Sequence, residues 1–272
     1  MQKYVLTDSF KRIDGLIVHR IKALRSFGDV KKGDAGGWIS CEDNLSHDGD
    51  CWVYPNGVAA EHATVTENAR VLCGIVNNSA TIRGDAVVGW GDNNCVRICG
   101  NAMVTGNARV LDNAIIDGFA IVMDNATVAD YARVGGNAVM QDDTHAFHYA
   151  ELFGDVVLKN RAFVCGHAKI GGETTLIDCA HIADDSVIVD GGEISEYSNR
   201  KYRLLKNDTK IVDGRTLYRI VAVQDGPFFH YGELGGYIER EANLSHTGAC
   251  WIRSGACAYG DRVIKYDELV KE

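Results

Sequence analysis

The 272-residue sequence has no apolar run that approaches the roughly 20 residues needed to cross a membrane. Its first residues, MQKYVLTDSFKR, lack the apolar core of a signal peptide. We therefore expect a cytoplasmic protein that has no membrane partner. A net charge of -9, spread without acidic blocks, argues against duplex nucleic acid as a partner but is compatible with a local basic site.

Familiar cofactor and metal motifs are also missing. No Walker or Rossmann glycine motif occurs, and no two cysteines have the CxxC spacing of a metal or redox site. The nine cysteines are irregularly spaced, and Cys51, Cys179 and Cys250 stand where the pattern calls for a small buried residue. We expect reduced structural thiols and no metal site.

What the sequence does contain is a six-residue repeat. In residues 101–140, NAMVTGNARVLDNAIIDGFAIVMDNATVADYARVGGNAVM, every sixth residue from Ala102 to Ala138 is alanine, and an aliphatic residue follows two positions later. Small residues continue in this phase to Ser186. No helix has this period, but a short strand with two inward side chains followed by a corner does. The corner residues GN, DN and GG tolerate the left-handed backbone that tight corners require.

These phrases resemble the hexapeptide repeat V-x-G-N-A-x of left-handed parallel β-helices, a fold best known in acyltransferases. The resemblance implies an all-β chain with three hexads, about 18 residues, in each coil. From about Ile39 to Gly191 we predict about eight coils. A bulge of about three extra residues near GWGDNNC is expected, and no long extruded loop.

A second repetition, offset by 199 residues, surrounds the first. DGLIVHRIKAL (14–24) and GDAGGWISCEDNLSHDGDCWV (33–53) return as DGRTLYRIVAV (213–223) and GELGGYIEREANLSHTGACWI (232–252). Each copy predicts a hairpin that turns at Asp-Gly, followed by irregular rungs that cover an open end of stacked strands. We therefore predict an N-terminal β-hairpin cap at 1–38, a main β-helix at 39–191 and a duplicated C-terminal cap with short rungs at 200–272.

The duplicated signature GGW/Y-I-x-x-E-x-NLSH-x-G-x-CW resembles the YdcK-like family of hexapeptide-repeat proteins, found in enteric bacteria and in phages. Members are usually labelled transferases because of their fold, and the resemblance carries over no set of catalytic residues. A fold does not establish a function. Function must therefore be sought in side chains that the repeat does not require.

Three histidines are the candidate catalytic residues. His47 and His246 recur at equivalent places beside Asn44 and Asn243, and His145 interrupts the repeat. The resemblance to hexapeptide acyltransferases implies a histidine that takes a proton from the acceptor substrate. The alternative, which we favour for the duplicated pair, is that hydrogen bonds hold each histidine inside a cap as a building element.

One predicted face of the coil is apolar. Positions 18 residues apart lie above one another on such a face, which gives a stripe of Met103, Ile121, Met123, Val139, Val157 and Ile177. Large exposed apolar patches usually mark interfaces, and β-helices of the resembled fold are commonly trimers, so we predict a homotrimer that associates through this stripe. Coverage by the chain's own C-terminal segment is the alternative.

The other faces predict a ligand site. DDTHAFHYAE (142–151) breaks the alanine pattern and turns aromatic and imidazole groups outward, which suits stacking on a ring and hydrogen bonding to its edge. Basic residues nearby suit a phosphate of CoA or of a nucleotide. The predicted ligand-binding residues are Arg109, Arg133, His145, Phe147, His148, Tyr149, Lys169 and His181. An ordinary solvated or subunit-contacting surface is the alternative.

Two classes of function fit these features. The one we favour is a noncatalytic homo-oligomer that needs no cofactor and binds a nucleotide-like, anionic ligand or a partner in grooves between subunits. A phage protein that sequesters a host immune signal is one version of it. The other class is an acyltransferase that uses acetyl-CoA or another acyl-CoA, with a histidine as general base. The lack of a catalytic constellation beyond the repeat favours binding.

Overall fold

The structure, a computed structural model, describes residues 2–90, 95–189, 192–195 and 201–271. The chain divides into two compact units, Met1–Glu196 and Tyr197–Glu272. The predicted boundaries of the N-terminal cap and the main β-helix both fall inside the first unit and stay predictions. Within the described residues, helical structure is limited to two single 3-10 turns, Glu42–Asn44 and Glu241–Asn243, and no helix there is long and apolar enough to cross a membrane.

The first unit begins with an antiparallel hairpin. Strand β1 (Tyr4–Ile13) pairs with β2 (Leu16–Ala23) across a turn in which Asp14 and Gly15 have φ angles of 48° and 84°. A left-handed backbone at both positions is what a two-residue hairpin turn needs, and Asp-Gly supplies it. Strand β3 (Ala35–Ile39) then pairs antiparallel with β2. The predicted hairpin at Asp-Gly is therefore present.

The rest of the first unit is a stack of short parallel strands joined by corners. They are β4 (Trp52–Ala59), β5 (Thr64–Val65), β6 (Arg70–Val76), β7 (Thr81–Ile82), β8 (Val87–Val88), β9 (Arg97–Ile98), β10 (Met103–Val104), β11 (Arg109–Val110), β12 (Ile115–Ile116), β13 (Ile121–Val122), β14 (Thr127–Val128), β15 (Arg133–Val134), β16 (Val139–Met140), β17 (His145–Ala146), β18 (Glu151–Leu152), β19 (Val157–Leu158), β20 (Phe163–Val164), β21 (Lys169–Gly171), β22 (Thr175–Leu176), β23 (His181–Ile182), β24 (Val187–Val189) and β25 (Glu193–Ile194).

These strands form three faces. Face A is the 8-stranded sheet β5-β7-β10-β13-β16-β19-β22-β25. Face B stacks β8, β11, β14, β17, β20 and β23 on the first residues of β6, and face C stacks β9, β12, β15, β18, β21 and β24 on its last residues. Because β4 and β6 continue around the corner between these two faces, both faces belong to one 17-stranded sheet. The predicted parallel β-helix is confirmed.

The interior is the column of small and aliphatic side chains that the repeat predicts. Val110, Ile116 and Val122, one from each face, are all completely buried. Thr144 and Thr174 replace buried alanines, and each hydroxyl donates to a carbonyl three residues earlier, at 2.9 and 2.7 Å. A buried hydroxyl needs such a partner, so the local carbonyl explains why threonine is tolerated there.

The number of coils differs from the prediction. Face A has eight strands, in keeping with the expected eight coils, but the two units together contain about 12 turns. The difference arises because the predicted caps also contribute parallel rungs, as in the pairings β3–β4 and those of the second unit. The bulge is larger than expected as well. Ile75 pairs with Arg97, a separation of 22 residues that also joins Asn78 to Gly100, against 18 in the regular coils. Residues 91–94 of GWGDNNC lie outside the described residues.

The second unit repeats the hairpin and the first rungs. Its strands are β26 (Tyr202–Val212), β27 (Arg215–Ala222), β28 (Leu234–Ile238), β29 (Trp251–Ile252), β30 (Cys257–Ala258) and β31 (Leu269–Val270). The first three form an antiparallel meander, and β28–β30 and β29–β31 pair in parallel. Each copy therefore contains a hairpin followed by parallel rungs, as its sequence predicts.

A buried lysine that the sequence did not single out anchors each hairpin. The Nζ of Lys3 donates to the carbonyl of Cys51 at 2.9 Å and lies 3.1 Å from its Sγ, and burial lowers the pKa of this amine. Lys201 makes the same contacts with Cys250 at 2.6 and 3.0 Å. Both cysteines are fully buried, as predicted, whereas Cys179 is only half-buried because it lies at a corner just before an inward alanine.

The asparagine of each NLSH motif is a buried hydrogen-bonding centre. Asn44 accepts from the N–H groups of Ser40 and Cys41, both at 3.0 Å, and its Nδ2 donates to the carbonyls of Glu61 and Ala63 at 3.0 and 2.8 Å. Through these four bonds it joins the 3-10 turn to the next coil. Asn243 holds the second copy in the same way.

Candidate functional site

The segment DDTHAFHYAE passes through strand β17 and the corner after it. Because alternate residues of a strand point to opposite sides, Ala146 faces the interior and His145 and Phe147 face outward. The parallel register places Phe163 of β20 beside His145, and His181 of β23 beside Phe163. The six-residue phase therefore gathers aromatic and imidazole groups on face B.

These side chains form one connected group, which we call the imidazole–aromatic cluster: His145, Phe147, Phe163, Cys165 and His181. The ring of His145 lies 5.4 Å from that of Phe147 and 5.9 Å from that of Phe163. Phe147 lies 5.4 Å from Phe163, which in turn lies 5.0 Å from His181. Cys165 Sγ is 3.6 Å from Nε2 of His181. The cluster is a partly exposed apolar patch with imidazole groups at both ends.

The Nδ1 atom of His145 is buried and makes no hydrogen bond with any of the residues that the structure describes. A buried N–H without an acceptor is costly, so the favoured neutral tautomer carries its proton on Nε2. That proton can be donated to an oxygen or nitrogen of a ligand. A histidine that acts as a base through Nε2 instead needs an acceptor for Nδ1–H, and His145 has none among the described residues.

A cysteine nucleophile is also disfavoured in the cluster. Burial raises the pKa of the Cys165 thiol, and the Asp184 carboxylate raises it further. Because the thiolate is the nucleophilic form, a raised pKa keeps this sulfur unreactive near neutral pH. The contact between Cys165 and His181 is therefore a packing and hydrogen-bonding contact.

A second aromatic group lies at the corner between faces B and C. Tyr131, Tyr149 and His167 stand one above another in consecutive coils, with ring centroids 5.1 and 4.8 Å apart and rings within 7° of parallel. We call them the ring stack. Tyr149 was predicted as a ligand residue, whereas Tyr131 and His167 were missed, although stepping 18 residues in either direction from Tyr149 finds both. Both tyrosine rings are more than half or about half exposed, at 56% and 50%.

The predicted cations have unequal environments. Arg133 bonds to Asp117 at 2.5 Å, and Lys169 bonds to Glu151 at 2.9 Å, so each has a carboxylate partner on face C. Arg109 makes no hydrogen bond or ion pair with the described part of the chain, and it is exposed on face B. It lies two strands from His145, about 10 Å at the usual strand spacing. Arg109 is therefore the cation best placed to meet a phosphate near the cluster.

His148 has a local role at its corner. Its φ angle is 58°, its N–H donates to Asp130 at 2.9 Å, and its Nδ1 accepts from the N–H of Gly166 at 3.3 Å. These bonds join three consecutive coils at one corner. The ring of His148 remains a predicted ligand group, but its Nδ1 already has a partner.

The duplicated histidines lie inside the caps. His47 stacks on Tyr4 with centroids 4.4 Å apart, and its Nδ1 accepts from the N–H of Lys3 at 3.2 Å. His246 stacks on Tyr202 at 4.2 Å, and its Nδ1 likewise accepts from a lysine N–H at 3.2 Å. An Nδ1 that accepts leaves the proton on Nε2. This arrangement supports the interpretation of both residues as building elements.

The apolar stripe lies on face A. Met103, Ile121, Val139 and Val157 are paired in register on consecutive strands, with Met123 and Ile177 just beyond their own strands. All six side chains are half-buried in the first unit. Face A and the cluster on face B are separated by a single corner, so a neighbour seated on the stripe would lie beside the cluster.

Comparison with known proteins gives one partial match. The chain is 35% identical over 80 residues to the protein described as "Uncharacterized acetyltransferase YdcK" of Escherichia coli strain K12, and the alignment covers 26% of this chain and 24% of the relative. The chain thus spans about a quarter of the length of the curated relative that it matches. No family model matches the chain. The predicted resemblance is confirmed over this part, and the chain is a hexapeptide-repeat β-helix protein.

Proposed function

We propose that the protein is a noncatalytic, self-associating β-helix that binds a small nucleotide-like ligand at the imidazole–aromatic cluster. The observation that carries this proposal is the environment of His145, whose Nδ1 has no partner among the described residues and whose Nε2–H is available to a ligand. Such an imidazole is arranged to donate a hydrogen bond, not to take a proton. Phe147 and Phe163 supply ring faces on which a base can stack.

The charges on face B fit an anionic ligand. Arg109 is unpaired among the described residues, while the cations of face C already have carboxylate partners. A phosphate held by Arg109 would be about 10 Å from His145, roughly the span between the phosphate and the base of a nucleotide. The two groups therefore suit the two ends of one ligand.

Self-association through the apolar stripe is the second element of the proposal. The stripe lies on the face next to the cluster, and a homotrimer would bring a neighbouring subunit against the edge of the ligand site. Capture of a host immune nucleotide by a phage-encoded protein is the specific biological form we propose. Nine free cysteines suit the reducing cytoplasm in which such a signal acts.

Acyl transfer from acetyl-CoA or another acyl-CoA is the second candidate, because the relative that the chain matches carries the name acetyltransferase. In that case the adenine of CoA would occupy the cluster and a histidine would act as general base. The two functions differ in one observable result. A binding protein releases its ligand unchanged, whereas a transferase consumes acetyl-CoA.

The test combines native mass spectrometry with calorimetry. Native mass spectra of the purified protein report the number of subunits and any bound small molecule, and titration with linear and cyclic nucleotides measures affinity. We expect His145→Ala and Arg109→Gln each to weaken binding about tenfold or more, since each removes one polar contact. His62→Ala, an exposed histidine at another corner, is the matched control and should leave the affinity unchanged.

Three results would overturn the proposal. They are a monomer in the native spectrum, equal affinities for the His145→Ala variant and the wild type, or turnover of acetyl-CoA that disappears in His145→Ala. The last result would establish the second candidate in its place.

A further inference from the structure

A cavity of about 540 Å³ lies beside the N-terminal hairpin, away from the imidazole–aromatic cluster. Its walls come from β1, β2, β3 and the long strands β4 and β6, and include Lys11, Ile13, Arg20, Trp38, Val58 and Ile75. Cavities of roughly 300–1,000 Å³ hold small molecules in proteins. The size and the mixture of apolar and basic walls therefore suit a small organic anion.

Two cations in this cavity lack a counter-ion. Lys11 Nζ lies 4.5 Å from the centre of the Trp38 ring, and Arg20 Cζ lies 5.3 Å from it. Neither side chain makes a hydrogen bond or ion pair with the described residues, and Arg20 Nε is buried. Burial lowers the pKa of Lys11, and the neighbouring Arg20 charge lowers it further. Two like charges side by side in a partly buried place are unfavourable without an anion.

The second copy of the duplication shows how the same residues are paired when no ligand is needed. Lys210, Arg219 and Tyr237 are the equivalents of Lys11, Arg20 and Trp38, each 199 residues later. Arg219 donates to the hydroxyl of Tyr237 at 3.3 Å and to Ser254 Oγ, and its terminal nitrogen lies 3.7 Å from the carboxylate of Asp208. Its Nε is unpaired, like that of Arg20, so the difference lies in the terminal nitrogens.

Each of the three groups that satisfy Arg219 is replaced in the first copy. Ser9 stands at the position of Asp208, Pro55 at that of Ser254, and Trp38 at that of Tyr237. The strand registers support this equivalence, since Arg20 pairs with Trp38 as Arg219 pairs with Tyr237. The first copy has therefore kept both cations and lost the carboxylate and both hydroxyls that would neutralise or bond them.

We propose that this cavity is a binding site for a small organic anion whose oxyanion group, a phosphate or a carboxylate, lies between Lys11 and Arg20. The guanidinium of Arg20 offers paired donors that match an oxyanion, and the Lys11 ammonium adds a second charge. The apolar walls of Ile13, Val58 and Ile75 receive the carbon part of the ligand. The site is separate from the imidazole–aromatic cluster and does not depend on the function proposed for it.

Calorimetric titration tests this site in the His145→Ala protein, so that the cluster does not contribute. The probes are adenosine 5′-monophosphate, adenosine, inorganic phosphate and citrate, which separate the need for phosphate, for carboxylate and for a planar group. We expect at least one oxyanion probe to bind and adenosine not to bind. Added salt should weaken the interaction, because it screens the two cations.

Matched variants locate the binding. Arg20→Gln should weaken it about tenfold or more, because a charge-assisted hydrogen bond is lost. Ser9→Asp should weaken it similarly by supplying the internal carboxylate that Asp208 provides in the second copy, and should also raise the midpoint of thermal unfolding. Arg219→Gln is the control and should leave the affinity unchanged.

The proposal is wrong if no oxyanion probe binds at millimolar concentration. It is equally wrong if binding persists unchanged in both Arg20→Gln and Ser9→Asp. Because Ser9→Asp adds a group to an exposed position and removes no packing, its effect separates loss of the site from loss of the fold.

Discussion

Ile115 and Ile116 are neighbouring residues of one type that lie on opposite sides of strand β12. Ile116 is completely buried and stacks between Ile98 and Val134 inside the coil. Ile115 is half-buried and faces outward on face C, where its neighbours in the adjacent strands are both arginines. Replacing each isoleucine by alanine removes the same atoms from the two environments.

The structure sets the expected magnitudes. Ile116→Ala removes three carbon atoms from a fully buried site, which corresponds to about 2.4 kcal/mol of transfer free energy at ~0.8 kcal/mol per group. The cavity left between fixed coils raises the cost, so we expect a loss of about 3 to 4 kcal/mol in the free energy of unfolding. Ile115→Ala loses only partial burial and strand propensity, and should cost about 1 kcal/mol or less.

Urea denaturation followed by far-ultraviolet circular dichroism measures both variants against the wild type. The midpoint for Ile116→Ala should fall clearly below that for Ile115→Ala, with a similar slope for both. Equal shifts, or a larger shift for Ile115→Ala, would show that residues at six-residue steps do not fill the interior. The assignment of the outward faces, and with it the candidate site, would then be lost.

Two further predictions concern the caps. Asn44→Ala should cost about 2 to 4 kcal/mol in the same urea assay, because it leaves buried backbone groups without partners, whereas Asn107→Ala, at an exposed corner, should cost less than about 1 kcal/mol; equal costs would contradict this role. Burial raises the pKa of Tyr4 above its ordinary 10.0, and Glu42 raises it further, so the unfolded chain loses this proton first and stability falls as pH rises past that ordinary value. Tyr4→Phe should therefore lose less stability than the wild type between about pH 8 and about pH 11, and an unchanged slope would refute the assignment.

Much of the candidate site follows from the six-residue phase. Because the phase fixes which residues point outward, the sequence places His145, Phe163 and His181 in one row, and the structure confirms that they are in contact. The same step of 18 residues would have added Tyr131 and His167 to Tyr149. The charge partners were not foreseen, because Arg133 bonds diagonally to Asp117 across the edge of a neighbouring strand. Such a bond depends on side-chain rotamers and not on the repeat.

The sequence by itself determined the architecture. Alanine and an aliphatic residue at fixed steps can only be buried together if the chain coils with that period, and Asp-Gly and Gly-Asn supply the left-handed backbone at the turns. Tertiary structure alone decided which polar groups are satisfied. The buried contact of Lys3 with Cys51, the unpartnered Nδ1 of His145 and the unpaired charge of Arg20 each depend on groups brought together from distant parts of the chain. Burial of apolar side chains is a property of single positions, whereas satisfaction of a charge or hydrogen bond is a property of pairs, so only the folded chain reveals it.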